Sequence, residues 1–313
     1  MTEEEYRLSV VESQKAAHEE TMWGKPARDI ITGISNNTSV RPVRAIWELV
    51  QNARDVVRKG CRAKITFTRN QDDFLFQHDG VPFTHKTIEA LILQTSSKAI
   101  ENHAEVGQYG TGFLTTHKFG LKFDLTAPLL TSEKIPRYYQ ISGFEIDRSS
   151  TEKDVMRKAI EDQWEKTQGW GKNFSETTAN PEENTTFRYI HQNTKERQNV
   201  EEAFREALLM TPYVMLLNPQ IERIAFDDSI ESSRCEFEMC QEKAIIVEET
   251  ADGFIYKNTV TVKKTGSESE QMTLFFIESK VQTDKEPRVA KVSVVLPIEE
   301  SGGKHSVIPV IAA

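Results

Sequence analysis

The sequence predicts an α+β fold: a two-layer α/β sandwich, a mixed sheet with helices on one face, followed by a β-rich α/β second domain. Three features carry that prediction. Between residues 27 and 191 the elements run helix, paired strands, helix, glycine loop, strands, an order that lays helices on a sheet. The segment 45–55, AIWELVQNARD, is amphipathic at about 100° per residue, with Ile46, Val50, Ala53 and Val57 on one face. Beyond 221 the chain is mostly short apolar runs separated by charged turns, the pattern of strands. For 313 residues, at roughly 100–200 residues per domain, two domains are expected, 1–193 and 194–313.

Taken in order, residues 3–22 have helical composition and should end before the Gly24-Lys25-Pro26 break, as an arm that packs on its own domain or crosses to a partner chain. A short helix at 27–35 and a polar NNTS loop follow, and Pro42 stands where the central helix takes its first turn. The runs 63–69 and 74–77 read as a hairpin joined by 70–73, and Asp79-Gly80 closes its second strand. Residues 84–94 are helical, with Ile88, Leu91 and Ile92 at helical spacing, and lead through TSSKAIENHAE to a glycine cluster and a helical FLTTHKF. Strands are expected at 121–126 and 138–146, a helix at 151–166, a polar loop at 168–183 and a strand at 185–191. A helix at 196–209 should stop at Pro212, since proline has no N–H for the helical ladder, with a strand at 213–217. Further strands are read at 221–226, 244–248, 254–262, 272–277 and 289–296, and the closing SVIPVIAA reads as though the chain stops inside a domain.

Composition narrows the function. A formal net charge of −9 gives no general attraction for phosphate backbones, so direct nucleic-acid binding is not expected. No apolar run approaches the roughly 18 residues of a membrane span. The N-terminus, MTEEEYRLSV, is acidic where a signal peptide is basic and then apolar, so a cytoplasmic location is expected. Three cysteines make no disulfide framework, and Cys235 and Cys240 lack a nearby Cys or His pair for zinc.

Four groups of residues could do chemistry, and each has a plain structural alternative. Glu48 and Asn52 lie one helical turn apart, in a stripe with Asp55 opposite the core face; a carboxylate polarises water and an amide oxygen suits a hard cation. Gln51, Arg54 and Arg58 fall on a third, solvated side, so the stripe is not needed for solubility. The alternative is a chance polar stripe. Asp79, at the end of the strand FLFQH, is an acceptor for an exocyclic amine, with Gly80 letting the backbone turn close to a ligand; the alternative is a turn. Gly107, Gly110 and Gly112 in GQYGTG allow backbone N–H groups to approach an anion, or make a structural turn. Ser96, Ser97 and Lys98 suit phosphate contact or form an ordinary solvated loop. The scattered His78, His103 and His117 read as structural or exposed, and Trp47 as core.

In this order the motifs resemble the GHKL ATPase superfamily, which includes gyrase-type topoisomerases, the ninety-kilodalton heat-shock chaperone, histidine kinases and MutL. ELVQNARD is similar to the chaperone branch's catalytic helix, ILQTSSKA at 92–99 to its lid segment, and GQYGTGF at 107–113 to its GQFGVGF. NTTF at 184–187 resembles its late Gly-Thr strand. Where the family has Asp-x-Gly-x-Gly, this chain has Asp79-Gly80-Val81-Pro82-Phe83, a form closer to the sacsin-type relatives, and Asn184 replaces the usual glycine.

The resemblance implies the Bergerat ATP-binding fold and a magnesium-dependent ATPase using ATP/ADP and Mg2+. Glu48 would be the general base and Asn52 the magnesium ligand. Asp79 would accept the adenine amine, with Gly80 and Thr185, or Thr186 one register away, beside it. Asp55 would line the base pocket through water. Ser97, Lys98 and the glycine segment Gly107, Gln108, Tyr109, Gly110, Thr111, Gly112 and Phe113 would close over the phosphates. Slow hydrolysis would then switch a chaperone-like or effector assembly, with a possible ATP-dependent homodimer and an unidentified protein client or downstream effector domain. Kinases of the superfamily carry Asn where Glu48 stands, and the acidic charge disfavours a topoisomerase or DNA-repair role. The alternative is a nucleotide-binding regulatory module that does not hydrolyse ATP, for example one gating a defence or stress effector.

Overall fold

The computed structural model describes residues 2–94, 112–241, 243–250, 253–282, 289–296, 298–301 and 304–307. Alternating apolar and polar side chains build its sheet. In β1 (Ala63–Arg69), Ala63, Ile65 and Phe67 are buried while Lys64, Thr66 and Thr68 are less covered. β1 pairs antiparallel with β2 (Asp73–His78), setting Ile65 opposite His78 and Phe67 opposite Phe76. The remaining strands are β3 (Phe83–Thr84), β4 (Lys122–Leu130), β5 (Tyr138–Asp147), β6 (Thr185–Ile190), β7 (Ile221–Asp228), β8 (Ser233–Met239), β9 (Ile245–Thr250), β10 (Gly253–Lys264), β11 (Glu270–Gln282) and β12 (Val289–Leu296). Among the described residues they form one twelve-stranded sheet in the order β12-β11-β10-β8-β7-β1-β2-β6-β4-β3, with β5 on β4 and β9 on β10. The sheet is mixed: β1/β7 and β3/β4 run parallel and the other neighbours antiparallel.

Helices α1 (Glu3–Glu19), α2 (Lys25–Asn36), α3 (Val43–Asp55), α4 (His85–Leu93), α5 (Lys153–Thr167) and α6 (Thr194–Leu217) complete the fold. All but α1 contribute to a single core with the buried side of the sheet. α3 starts after Pro42 and buries Val43, Ala45, Ile46, Leu49, Val50 and Ala53. Burial of each large aliphatic among them is worth about 1.5–3 kcal/mol. Trp47 is half-buried against that core, and Val57 lies beyond the last helical residue. α4 is capped by Thr84, whose hydroxyl accepts from the Thr87 N–H, and ends at Gln94 in a left-handed conformation (φ 52°).

Several expectations are corrected. The N-terminal helix does not end at Gly24-Lys25-Pro26: a π-helical turn, Glu20–Gly24, joins α1 to α2, and the chain stays helical through Pro26, the second residue of α2. α1 buries none of its residues; its last residue, Glu19, pairs with Arg157 (3.1 Å), and the next, Glu20, with Lys153 (2.7 Å), both on α5. Pro212 does not end α6, and 213–217 is helical, not a strand. Burial of Thr211, Pro212, Met215 and Leu216 outweighs the one hydrogen bond that Pro212 cannot donate. Residues 113–118 form a 3-10 turn, Phe113–Lys118. β8 was not expected, although Cys235, Phe237 and Met239 alternate with charged residues along it.

The division expected at 193/194 falls between β6 and α6, and sheet and core both continue across it. β7 pairs along the whole of β1, from Ala63 opposite Ile221 to Arg69 opposite Asp228. Phe226 on β7 stacks on Phe67 of β1 (centroids 5.3 Å), and Phe204 on α6 meets Phe226 (5.4 Å) and Phe74 of β2 (6.0 Å) edge-on.

Candidate functional site

The polar stripe of α3 lies beside the start of the 3-10 turn. Glu48 and Asn52 are half-buried, and the Glu48 carboxylate faces Gly112 so closely that a Cβ at Gly112 would lie 2.2 Å from Oε2 and 2.8 Å from Cδ. Glycine there lets the carboxylate pack against the backbone; any larger residue would push the Glu48 side chain aside. Arg44, one turn earlier and largely exposed, approaches Glu48 Oε1 at 3.4 Å. Phe113 anchors the turn, with its ring 5.9 Å from those of Phe123 and Phe187. Asp55 has a nearly buried side chain that accepts from Arg54 Nη2 at 2.8 Å, and the same guanidinium donates to Asn218 Oδ1 past the end of α6 at 2.9 Å. Arg54 is therefore not on a solvated face, as periodicity alone suggested, but ties α3 to α6.

The β2 end packs against the other end of α3. Asp79 Oδ1 accepts the Lys64 backbone N–H at 2.8 Å, which fixes one carboxylate oxygen against β1. Gly80 is wedged against the residue following α3: a Cβ there would meet Val56 Cγ2 at 2.6 Å and the Val56 carbonyl oxygen at 2.9 Å, and the Val81 N–H donates to that carbonyl at 2.8 Å. In the adjacent strand Thr185 stands opposite His78 and Thr186 opposite Gln77, whose amide donates to the Thr186 hydroxyl at 3.0 Å. Strand alternation thus puts the two threonines on opposite faces, and only Thr185 lies on the buried, helix-covered one. Its hydroxyl oxygen is buried with no hydrogen-bond partner, an arrangement that costs about 1–3 kcal/mol.

Arg58, expected on a solvated face, instead joins these pieces. Its guanidinium donates to the Asp79 carbonyl (2.9 Å), the Pro181 carbonyl (2.5 Å) and the Glu182 carboxylate (3.0 Å). Sequence gave a weak signal for this role: a long cation just past the helix, within reach of an Asp-Gly turn.

Two buried histidines flank the site. Burial, and after it the Arg58 charge, pushes the His78 pKa down to about 4; its Nδ1 accepts the Gly80 N–H at 3.1 Å, which leaves the proton on Nε2. Burial and the Arg148 charge push His117 down to about 3. Its Nδ1 lies 3.3 Å from the Gly120 carbonyl, which requires the Nδ1–H tautomer. Both are neutral near pH 7. His103, Ser97, Lys98, Gly107, Gln108, Tyr109, Gly110 and Thr111 lie outside the described residues.

The structure therefore sets Gly112 against Glu48 of α3, on the helix that also carries Asn52 and Asp55, and sets Gly80 against Val56 just past that helix, with Asp79 beside it and Thr185 opposite His78 in the adjacent strand. A separate concavity of about 380 Å3, lined by Glu89, Trp164, Trp170 and Lys172 among others, includes none of them. Its walls come from α4, the end of α5 and the loop that follows it, and Thr131 after β4. Among the described residues no three His, Cys, Asp or Glu cluster as metal ligands, and no helix is long and apolar enough to cross a membrane. In comparison with known proteins, the chain matches no family model and no curated protein.

Proposed function

We propose that the chain is a cytoplasmic, magnesium-dependent ATPase of the GHKL type, built on the Bergerat fold, whose slow turnover switches a larger chaperone-like or effector assembly. One observation supports this reading: Gly112 packs on the Glu48 carboxylate, Gly80 packs on Val56 just past the same helix, and Thr185 stands opposite His78, the neighbour of Asp79. Their chemistry fits a nucleotide. With Oδ1 held by Lys64, the second Asp79 oxygen is left to accept an amine, and the orphaned Thr185 hydroxyl supplies a further polar group on the same buried side. Gly112 leaves room beside Glu48 for the carboxylate to accept a proton from an attacking water. Magnesium would be held by the Asn52 amide oxygen and would neutralise phosphate charge; this ion takes few protein ligands and draws the rest from phosphates and water.

The test is binding and turnover of ATP with magnesium by the wild type, Glu48→Gln and Asp79→Asn. The reading expects a hydrolysing wild type, a Glu48→Gln variant that binds but turns over at least about 100-fold more slowly, and an Asp79→Asn variant that fails to bind. Binding without turnover in the wild type would favour a non-hydrolysing, nucleotide-gated module. No binding by any of the three would overturn the nucleotide reading.

A further inference from the structure

We infer that Arg58 is a positioning residue for base recognition: it fixes the Asp79 turn against the loop that leads into Thr185, and so sets selectivity for a 6-aminopurine over a 6-oxopurine. The inference rests on the nucleotide reading above. Arg58 stands three residues past the end of α3, and its side chain is 19% exposed, so most of it is enclosed by what it binds. Nε donates to the Asp79 carbonyl, one Nη to the Pro181 carbonyl and the other to Glu182. Two of those acceptors are backbone groups, which a planar guanidinium holds at a set separation and a lysine ammonium cannot. Pro181 and Glu182 lie just before β6, whose first residue is Thr185.

One side chain therefore spans the turn that ends β2 and the loop that begins β6. Lys64 clamps the Asp79 carboxylate from the β1 side while Arg58 clamps its carbonyl, so the carboxylate is fixed from two directions before any ligand arrives. β-Pairing alone sets the register of His78 against Thr185. Asp79 lies one residue beyond that ladder, and these two contacts are the ones made to its own carboxylate and carbonyl.

The experiment measures the affinities of ATP and GTP, each with magnesium, for the wild type, Arg58→Lys, Arg58→Met and Glu182→Gln, with the melting temperature of each. A positioning role lowers the ATP:GTP affinity ratio about tenfold in Arg58→Met, with partial recovery in Arg58→Lys and a smaller fall in Glu182→Gln. A role confined to stability would lower the melting temperature and weaken both nucleotides equally. An ATP:GTP ratio unchanged in the folded Arg58 variants overturns the inference while leaving the nucleotide reading intact. Should Arg58→Met not fold, Arg58→Lys and Glu182→Gln read the same ratio, and no change in either overturns it. A wild type that binds neither nucleotide removes the reading itself and the inference with it.

Discussion

α1 and α3 are helices of 17 and 13 residues that use their apolar side chains in opposite ways. α3 buries six residues in the core, whereas α1 buries none, and its Tyr6, Leu8 and Val11 are more than half exposed. α1 is held locally: Thr2 and Glu5 form a reciprocal capping box, three glutamates fill its first turn, and Arg7 pairs with Glu3 at 2.6 Å. α3 has no side-chain cap and is held by its neighbours. Only the second arrangement holds its helix between a core and a neighbouring turn, with the Glu48 carboxylate packed on Gly112. Helix propensity can place a helix; packing on several sides is what makes it a platform for a site.

The comparison can be sharpened by acid. His78 and His117, both near α3, are neutral in the fold with pKa values of about 4 and about 3, below the ordinary 6.5 that they regain on unfolding. Because the folded values are depressed, the unfolded chain takes up protons first. Stability present above about pH 6.5 is therefore lost as pH falls toward 4 for His78 and toward 3 for His117, on the order of 3–5 kcal/mol for each. Urea unfolding at a series of pH values should show this loss, and His117→Gln should lose less than the wild type.

A direct cut into the packed helix comes next. Ile46→Ala should cost about 2–5 kcal/mol in chemical denaturation; a value near that of an α1 variant would erase the distinction between the helices. Gly80→Ala drives a methyl into Val56 and its carbonyl, and should cost about 1–3 kcal/mol of stability. Thr185→Val has the opposite sign for the ligand-free protein: removing an unpaired buried hydroxyl should raise stability by about 1 kcal/mol while nucleotide binding weakens. A lower melting temperature in that variant would show that the hydroxyl does have a partner. Leu8→Ala in α1 should fall within about 0.5 kcal/mol of the wild type, and a larger loss would mean that α1 is covered in solution.

Much of the architecture was legible because its signals are local. The apolar face of α3, the β1–β2 hairpin and the start of α6 follow from periodicity and caps, and β8 could have been read from the inward Cys235, Phe237 and Met239. What was not legible depends on distant partners. Pro212 looks like a helix stop until the buried side of α6 is known. Nothing between 63 and 69 announces that its edge will be taken by a parallel strand beginning at 221. In the candidate site, the Glu48–Asn52 spacing and the Asp79-Gly80 turn are visible in sequence, whereas which of Thr185 and Thr186 faces the buried side follows only from the strand register. Arg54 and Arg58 were misread because helical phase gives a side chain's direction of departure, not where a long cation ends. Arg54 reaches Asn218 and Arg58 reaches Pro181, residues more than 120 positions away.

The β1–β7 pairing also bears on how the chain acquires its structure. β1 sits at the middle of the sheet, yet one of its two neighbours is synthesised only after β6 and the whole of α6 have followed. Closing a loop of that length is slow, and until it closes the backbone edge carrying Ile65 and Phe67 stands open to any other strand. A nascent or truncated chain ending before residue 221 would therefore be vulnerable to edge-to-edge association. The middle of the sheet is in this sense covered last in order of synthesis, by a strand that contributes none of the motif residues.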